Sequence, residues 1–123
     1  MHCQLRSADR ILFDGSASMV VARSPRGEFA IMDGHAPMVA VLDPGAIRVH
    51  AESDTRVFAA RCGTLRTTGD RVSLLVESAL PVEEIDLGEV GARLAELEES
   101  RDERDIEERD YLAIVRTIKE QYG

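Results

Sequence analysis

The chain has 123 residues, a length typical of one domain or of one domain with a short appendage. Its formal net charge of −8 argues against nucleic acid as a partner, because a phosphate backbone is bound by clustered lysine and arginine. No apolar run approaches the roughly 20 residues that span a bilayer, so we expect no direct membrane insertion.

Short apolar segments separated by turn residues fill the first 82 positions, a pattern typical of antiparallel sheets. Ile47 and Val49 alternate with Arg48 and His50, which predicts strands with one buried and one solvent-exposed face. No helical pattern lies between the strands, so parallel βαβ units are excluded. The sequence therefore predicts an antiparallel β-sandwich or flattened barrel in residues 1–82, with nine strands: Cys3–Arg6, Arg10–Phe13, Ser18–Arg23, Glu28–Met32, Met38–Leu42, Ala46–Ala51, Arg56–Arg61, Gly63–Thr67 and Val72–Glu77.

Beyond Pro81 the spacing of apolar residues changes to three and four, which is typical of amphipathic helices. A first stripe is followed by a polar link over residues 98–105 and then by a second stripe. We therefore predict a two-helix hairpin domain over residues 83–123, with stripes at Leu87, Val90, Leu94 and Leu97 and at Ile106, Leu112, Ile114, Val115, Ile118 and Tyr122.

Signatures of metal or phosphate chemistry are absent from the sequence. The three histidines have no ligand spacing, so we expect no metal site. No phosphate-binding glycine loop occurs, and Lys119 is the single lysine. Cys3 and Cys62 are expected to be free thiols, because a disulfide framework in a small domain usually needs four or more cysteines.

His35 is the one residue that invites a catalytic interpretation. A general base needs a nucleophile or an orienting carboxylate nearby, and only Asp33 and Glu28 are local in sequence. An exposed turn histidine is the simpler interpretation. The residues alone leave open a free-standing β-sandwich binding module or a small hydrolase that uses His35 as an alternative function.

Several stretches resemble the epsilon subunit of F-type ATP synthase, and the resemblance extends over essentially the whole chain. It implies a non-enzymatic rotor subunit of the central stalk, peripheral on the cytoplasmic face of the bacterial inner membrane. Such a subunit couples rotation of the gamma subunit to the membrane c ring during proton-driven ATP synthesis. The matching stretches are Arg10–Gly15, Gly27–Ile31, Asp33–Pro37, Leu42–Gly45, Ile47–Val49, Val72–Ala79 and Glu84–Asp86.

The same resemblance implies contact surfaces for the partners. Glu28, Gly34 and His35 match a loop that faces the c ring, while the sandwich clasps gamma. The helical hairpin of the family either folds on the sandwich or extends along gamma into the alpha/beta catalytic head, where it obstructs ATP hydrolysis. The basic residues expected to make those inhibitory contacts are Arg101, Arg104, Arg109, Arg116 and Lys119.

Nucleotide binding is the point where the sequence departs from part of the family. Members that bind ATP carry Arg and Ala at the third and fourth positions after the Ile-Asp pair, where this chain has Glu89 and Val90. Asp86 and Arg93 are the candidate nucleotide contacts, but Glu89 would repel a triphosphate. We therefore expect no cofactor.

Overall fold

The computed structural model describes all residues 1–123 as ten strands, one 3₁₀ turn and two α-helices. The strands are β1 (His2–Arg6), β2 (Ile11–Ser16), β3 (Met19–Ser24), β4 (Gly27–Met32), β5 (His35–Leu42), β6 (Gly45–His50), β7 (Thr55–Ala60), β8 (Gly63–Gly69), β9 (Arg71–Val76) and β10 (Ala79–Pro81). The 3₁₀ turn Val82–Glu84 leads into α1 (Leu87–Leu97) and α2 (Glu103–Tyr122). The predicted β-sandwich followed by a helical hairpin is confirmed.

The strands form two five-stranded sheets. The first sheet has the order β2-β1-β9-β8-β5, and the second sheet has the order β10-β7-β6-β3-β4. All neighbours are antiparallel except β1 and β9, which run parallel from the pair His2 and Arg71 to the pair Arg6 and Leu75. The prediction of purely antiparallel sheets is wrong at this one pair. All the strands from β2 to β8 lie between β1 and β9 in the sequence, so no local βαβ pattern could reveal that these two strands pair.

The main core lies between the two sheets. Alternate side chains of each strand point into it, and Leu5, Phe58 and Leu65 are completely buried there. Ile47 and Val49 also lie in this core, as their alternation with polar residues predicts. Burial of each such side chain contributes about 1.5–3 kcal/mol of transfer free energy to folding.

Strand β7 is buried on both faces. Phe58 and Ala60 point between the sheets, whereas Val57 and Ala59 point outward into a second apolar cluster beneath the helices. Val115 and Ile118 of α2 complete that cluster. The helices therefore cover the outer face of the second sheet and leave the outer face of the first sheet open.

The helices begin at acidic caps. The Asp86 carboxylate accepts a hydrogen bond of 3.1 Å from the Glu89 amide, and the Asp102 carboxylate accepts one of 2.9 Å from the Arg104 amide. The polar link predicted over residues 98–105 is therefore too long, because the cap at Asp102 starts α2 at Glu103. Acidic side chains also favour a first helical turn, since they complement the helix dipole.

The remaining differences concern the junction between the sandwich and the hairpin. The short tenth strand, Ala79–Pro81, was not predicted, because three residues are too few for an alternation to show. The predicted division into residues 1–82 and 83–123 stays a prediction, since the helices and the second sheet share one apolar cluster. Neither helix combines the length and hydropathy that a bilayer crossing requires.

Candidate functional site

The turn that contains Gly34 and His35 connects an edge strand of each sheet. Gly34 has a φ of 80°, and its amide donates a 3.2 Å hydrogen bond to the carbonyl of Gly69, which has a φ of 83°. Both positions lie in the left-handed region that favours glycine. The turn is therefore bonded to the neighbouring loop, and His35 follows it at the start of β5.

His35 makes no contact suited to acid–base catalysis. Its Nδ1 lies 2.7 Å from the carbonyl oxygen of Ala36, and no carboxylate lies within hydrogen-bonding distance of the ring. The ring is half-buried at the start of β5. The arrangement fits a surface contact better than a general base, which would need an oriented partner.

Glu28 lies near the start of β4, on the outer face of the second sheet. Its Oε1 accepts a 2.9 Å hydrogen bond from Nη2 of Arg48. The guanidinium carbon of Arg48 lies 5.7 Å from the centre of the Tyr122 ring on α2. Glu28 and His35 both line a groove of about 300 Å³ along the edges of β4 and β5, but no hydrogen bond joins them. Within the predicted loop, His35 is thus free of ionic partners and Glu28 is not.

The open face of the first sheet carries exposed apolar side chains. Val39 is 68% exposed, Val41 63%, Ile11 53% and Leu75 52%, and we call these four residues the apolar stripe. Val41, Leu75 and Ile11 belong to one row across all five strands, in which they are separated by Thr64 and Arg6. Four large apolar side chains exposed on one face of a sheet, interspersed with polar ones, make that face a candidate interaction surface.

The sequence contained a signal for this surface. The segment Met38–Leu42 is apolar at every position, which is typical of a strand covered on both faces. In the structure only its inward-pointing residues, Met38, Ala40 and Leu42, pack against the core. The unbroken apolar run therefore indicated a covering partner that the chain itself does not supply.

A cleft of about 600 Å³ between the sandwich and the hairpin contains both candidate nucleotide contacts. The Asp86 carboxylate caps α1, and Nη1 of Arg93 lies 2.9 Å from Glu96 Oε2, so each is already engaged. The cleft lining has more carboxylates than guanidinium groups, which disfavours a triphosphate. The charged residues around it are Asp9, Glu84, Asp86, Glu89 and Glu108 against Arg10, Arg61 and Arg93.

Two of the five basic residues predicted to contact the catalytic head are engaged by backbone carbonyls in the docked chain. Nη1 of Arg109 donates to the carbonyls of Leu97 and Glu98, at 3.3 and 3.0 Å, and so satisfies the end of α1. Lys119 Nζ donates a 3.1 Å bond to the Val82 carbonyl.

The three other basic residues of this group are exposed. Arg116 Nε lies 4.0 Å from Glu120 Oε1, a distance at which a surface ion pair contributes little. The side chains of Arg101 and Arg104 form no ion pair. When the hairpin is docked, these three are the available basic contacts.

Comparison with known proteins links this architecture to one family. The family model described as "ATP synthase, Delta/Epsilon chain, beta-sandwich domain" matches residues 1–82. The ATP synthase epsilon chain of Rubrobacter xylanophilus is 32% identical over 98 residues, which cover 80% of this chain and 67% of that relative. The epsilon chain of Streptomyces griseus is 37% identical over 101 residues, covering 81% of each chain.

Solved structures with a similar fold come from larger assemblies. A chain of the Euglena gracilis mitochondrial ATP synthase, in a structure of OSCP, F1 and c-ring, superposes with a TM-score of 0.74 at 24% identity, covering 96% of this chain and 76% of that chain. A chain of the Tetrahymena thermophila mitochondrial ATP synthase central stalk and c-ring gives 0.63 at 13% identity, covering 96% and 95%. At these identities the likeness concerns the fold alone.

Proposed function

The chain belongs to the delta/epsilon family of ATP synthase subunits, as a non-catalytic epsilon subunit, and we propose that it couples rotation of the gamma subunit to the membrane c ring. The observation that carries this proposal is the family match over the whole sandwich, joined to relatives aligned over four fifths of the chain. In this proposal the chain sits in the central stalk, at the cytoplasmic face of the bacterial inner membrane. It is held there by its partners and not by insertion.

The apolar stripe is the proposed contact surface for gamma. It lies on the face of the sandwich that the hairpin leaves open, and it has no covering element within the chain. Arg6 lies between Leu75 and Ile11, and Arg66 lies opposite Val39; both are exposed and can pair with carboxylates of the partner. Arginine interspersed with apolar side chains is common at protein interfaces, where arginine is enriched.

A charge in the stripe should weaken binding of gamma without unfolding the chain. We expect Val41→Asp to lower the affinity for gamma by about 100-fold, because a buried, unpaired carboxylate is costly at an interface. Isothermal titration with purified gamma measures the affinity, and circular dichroism measures the melting temperature. Leu87→Asp is the matched control, since Leu87 is 42% exposed but lies at the start of α1, where a carboxylate is tolerated. Equal affinity of the Val41→Asp and control chains for gamma would contradict this surface assignment.

The Gly34–His35 turn, together with Glu28, is the proposed contact with the c ring. Gly34 is exposed and its amide is bonded to the neighbouring loop, which suits a contact to the polar loops of a partner. Because Arg48 already neutralises the Glu28 carboxylate, His35 carries the larger part of that contact in our proposal.

The hairpin is the proposed brake on ATP hydrolysis, whereas the sandwich alone carries the coupling. The sandwich has its own core of 15 buried residues, none of which belongs to the helices. Inhibition of the catalytic head would require α2 to leave the second sheet. The basic contacts in that extended state are Arg101, Arg104, Arg109, Arg116 and Lys119.

Deletion of residues 86–123 tests this division of labour. We expect the truncated subunit to support coupled ATP synthesis in reconstituted vesicles, with a change of only a few-fold in ATP hydrolysis, since in this proposal the sandwich alone carries the coupling. The full-length chain in the same vesicles is the control. Complete loss of proton-coupled synthesis, with the truncated chain folded and bound, would contradict it.

A further inference from the structure

Arg61 connects the sandwich to the hairpin at the turn between β7 and β8. Its guanidinium carbon lies 4.1 Å from the centre of the Tyr111 ring, and its Nη2 donates a hydrogen bond to Oε2 of Glu108. Glu108 and Tyr111 are three residues apart and therefore lie side by side on α2. One arginine of the sandwich thus holds two side chains of the hairpin.

The remaining contacts between the sandwich and the hairpin also run mainly through α2. Val115 and Ile118 pack in the cluster that contains Val57 and Ala59, and Lys119 Nζ reaches the Val82 carbonyl. Helix α1 packs chiefly on α2 and not on the sheet. Separation of the hairpin from the sandwich therefore requires only that α2 leaves the second sheet.

The Arg61 contact differs from the apolar part of this interface in being directional and only half-buried. The side chains of Arg61 and Glu108 are 27% and 31% exposed. The Tyr111 hydroxyl has no hydrogen-bond partner, so the ring contributes its face and its apolar surface. A planar guanidinium stacks on an aromatic ring and pairs with a carboxylate at the same time, which an ammonium group does less well.

We propose that Arg61, Tyr111 and Glu108 form a latch that sets the fraction of molecules in which α2 is lifted from the second sheet. The latch lies in the N-terminal half of α2, while the buried apolar residues Val115 and Ile118 lie in its C-terminal half. Loss of the latch therefore weakens docking without removing the contacts of Val115 and Ile118, and this gives a graded control of the docked population. The inference concerns the isolated chain, so its test does not depend on the proposed role in the ATP synthase.

Labelling of a thiol placed beneath the hairpin measures the lifted fraction. Ala59 is completely buried under the helices, and an Ala59→Cys variant in a Cys62→Ser background places a thiol there. Cys3 is completely buried between the sheets and reports opening of the sandwich itself, which makes it an internal control. Burial raises the pKa of the Cys3 thiol to about 12, so it is unreactive while the sandwich is folded. The reagent is a maleimide, and mass spectrometry assigns the labelled cysteine.

In this background we expect Arg61→Gln and Tyr111→Leu each to speed labelling of residue 59 about tenfold, because each removes the stacked pair. Glu108→Gln should have a smaller effect, since only the ion pair is lost. Tyr111→Phe, which keeps the ring, should label like the parent. Arg71→Gln is the control for a lost surface charge, since Arg71 is an exposed residue of the first sheet without an ion pair.

The outcomes separate a latch from general stabilisation. Faster labelling of residue 59 with unchanged labelling of Cys3 supports the latch. Equal rates at residue 59 in the Arg61→Gln and Arg71→Gln chains would overturn it. A parallel rise in the labelling of Cys3 would also overturn it, since Arg61 would then stabilise the whole fold. A double-mutant cycle between Arg61→Gln and Tyr111→Leu should show that the two effects are not additive.

Discussion

Replacement of Phe58 by alanine should lower the free energy of unfolding by about 3–5 kcal/mol. Phe58 is completely buried in β7, where it lies opposite Ile47 on one side and Pro81 on the other. Removal of the ring leaves a cavity between the sheets that these neighbours cannot fill. Urea denaturation followed by circular dichroism measures the change. The expected loss is a large part of the free energy of unfolding of a domain this size, which is typically about 5–15 kcal/mol.

Two variants bracket this expectation. Phe58→Leu keeps most of the volume and should cost less than the alanine variant, whereas Leu75→Ala, on the open face, should change the stability by about 0.5 kcal/mol or less. If Phe58→Ala costs no more than Leu75→Ala, the two sheets do not pack around this ring.

Gly63→Ala should destabilise the chain by about 3 kcal/mol, the upper part of the usual range for overpacking. Gly63 begins β8 and pairs with both Leu42 and Val76. A Cβ added there would overlap the Leu75 carbonyl oxygen and lie 2.7 Å from the Val76 Cα, and both are backbone atoms that cannot rotate away. Thermal unfolding followed by circular dichroism checks this.

Gly91→Ala is the matched control for Gly63→Ala. Gly91 lies inside α1, and no atom lies within 4 Å of the Cβ that an alanine would add. Since alanine favours a helix over glycine by about 0.8–1.0 kcal/mol, this variant should be stabilised. Destabilisation of both variants by similar amounts would show that the close approach of β8 and β9 is not the cause.

The sequence predicted the strands that bury one face in the core, but it did not show which element covers the other face. Ile47 and Val49 alternate with Arg48 and His50 and are buried as expected. In β7 the run Val57–Ala60 has no alternation, because one face meets the core and the other meets the hairpin. A local pattern reports how many faces are covered but not by which element.

Part of the candidate site could be predicted from the sequence, and part of it could not. The turn at Gly34 and His35 could be predicted, since glycine marks a backbone conformation that the sequence itself requires. The Arg61 contact could not, because Arg61 and Tyr111 are 50 positions apart and meet only once the hairpin has docked. Nor could the engagement of Arg109 at the end of α1 be read from its charge.

The parallel pairing of β1 with β9 also decides how the sandwich bears a mechanical load. A pull between the start of β1 and the end of β9 is directed along both strands, so it strains the evenly spaced hydrogen bonds between them simultaneously. An antiparallel pair pulled from its open end would instead separate one bond at a time. This shear geometry gives the sandwich resistance to such a pull without any additional bond.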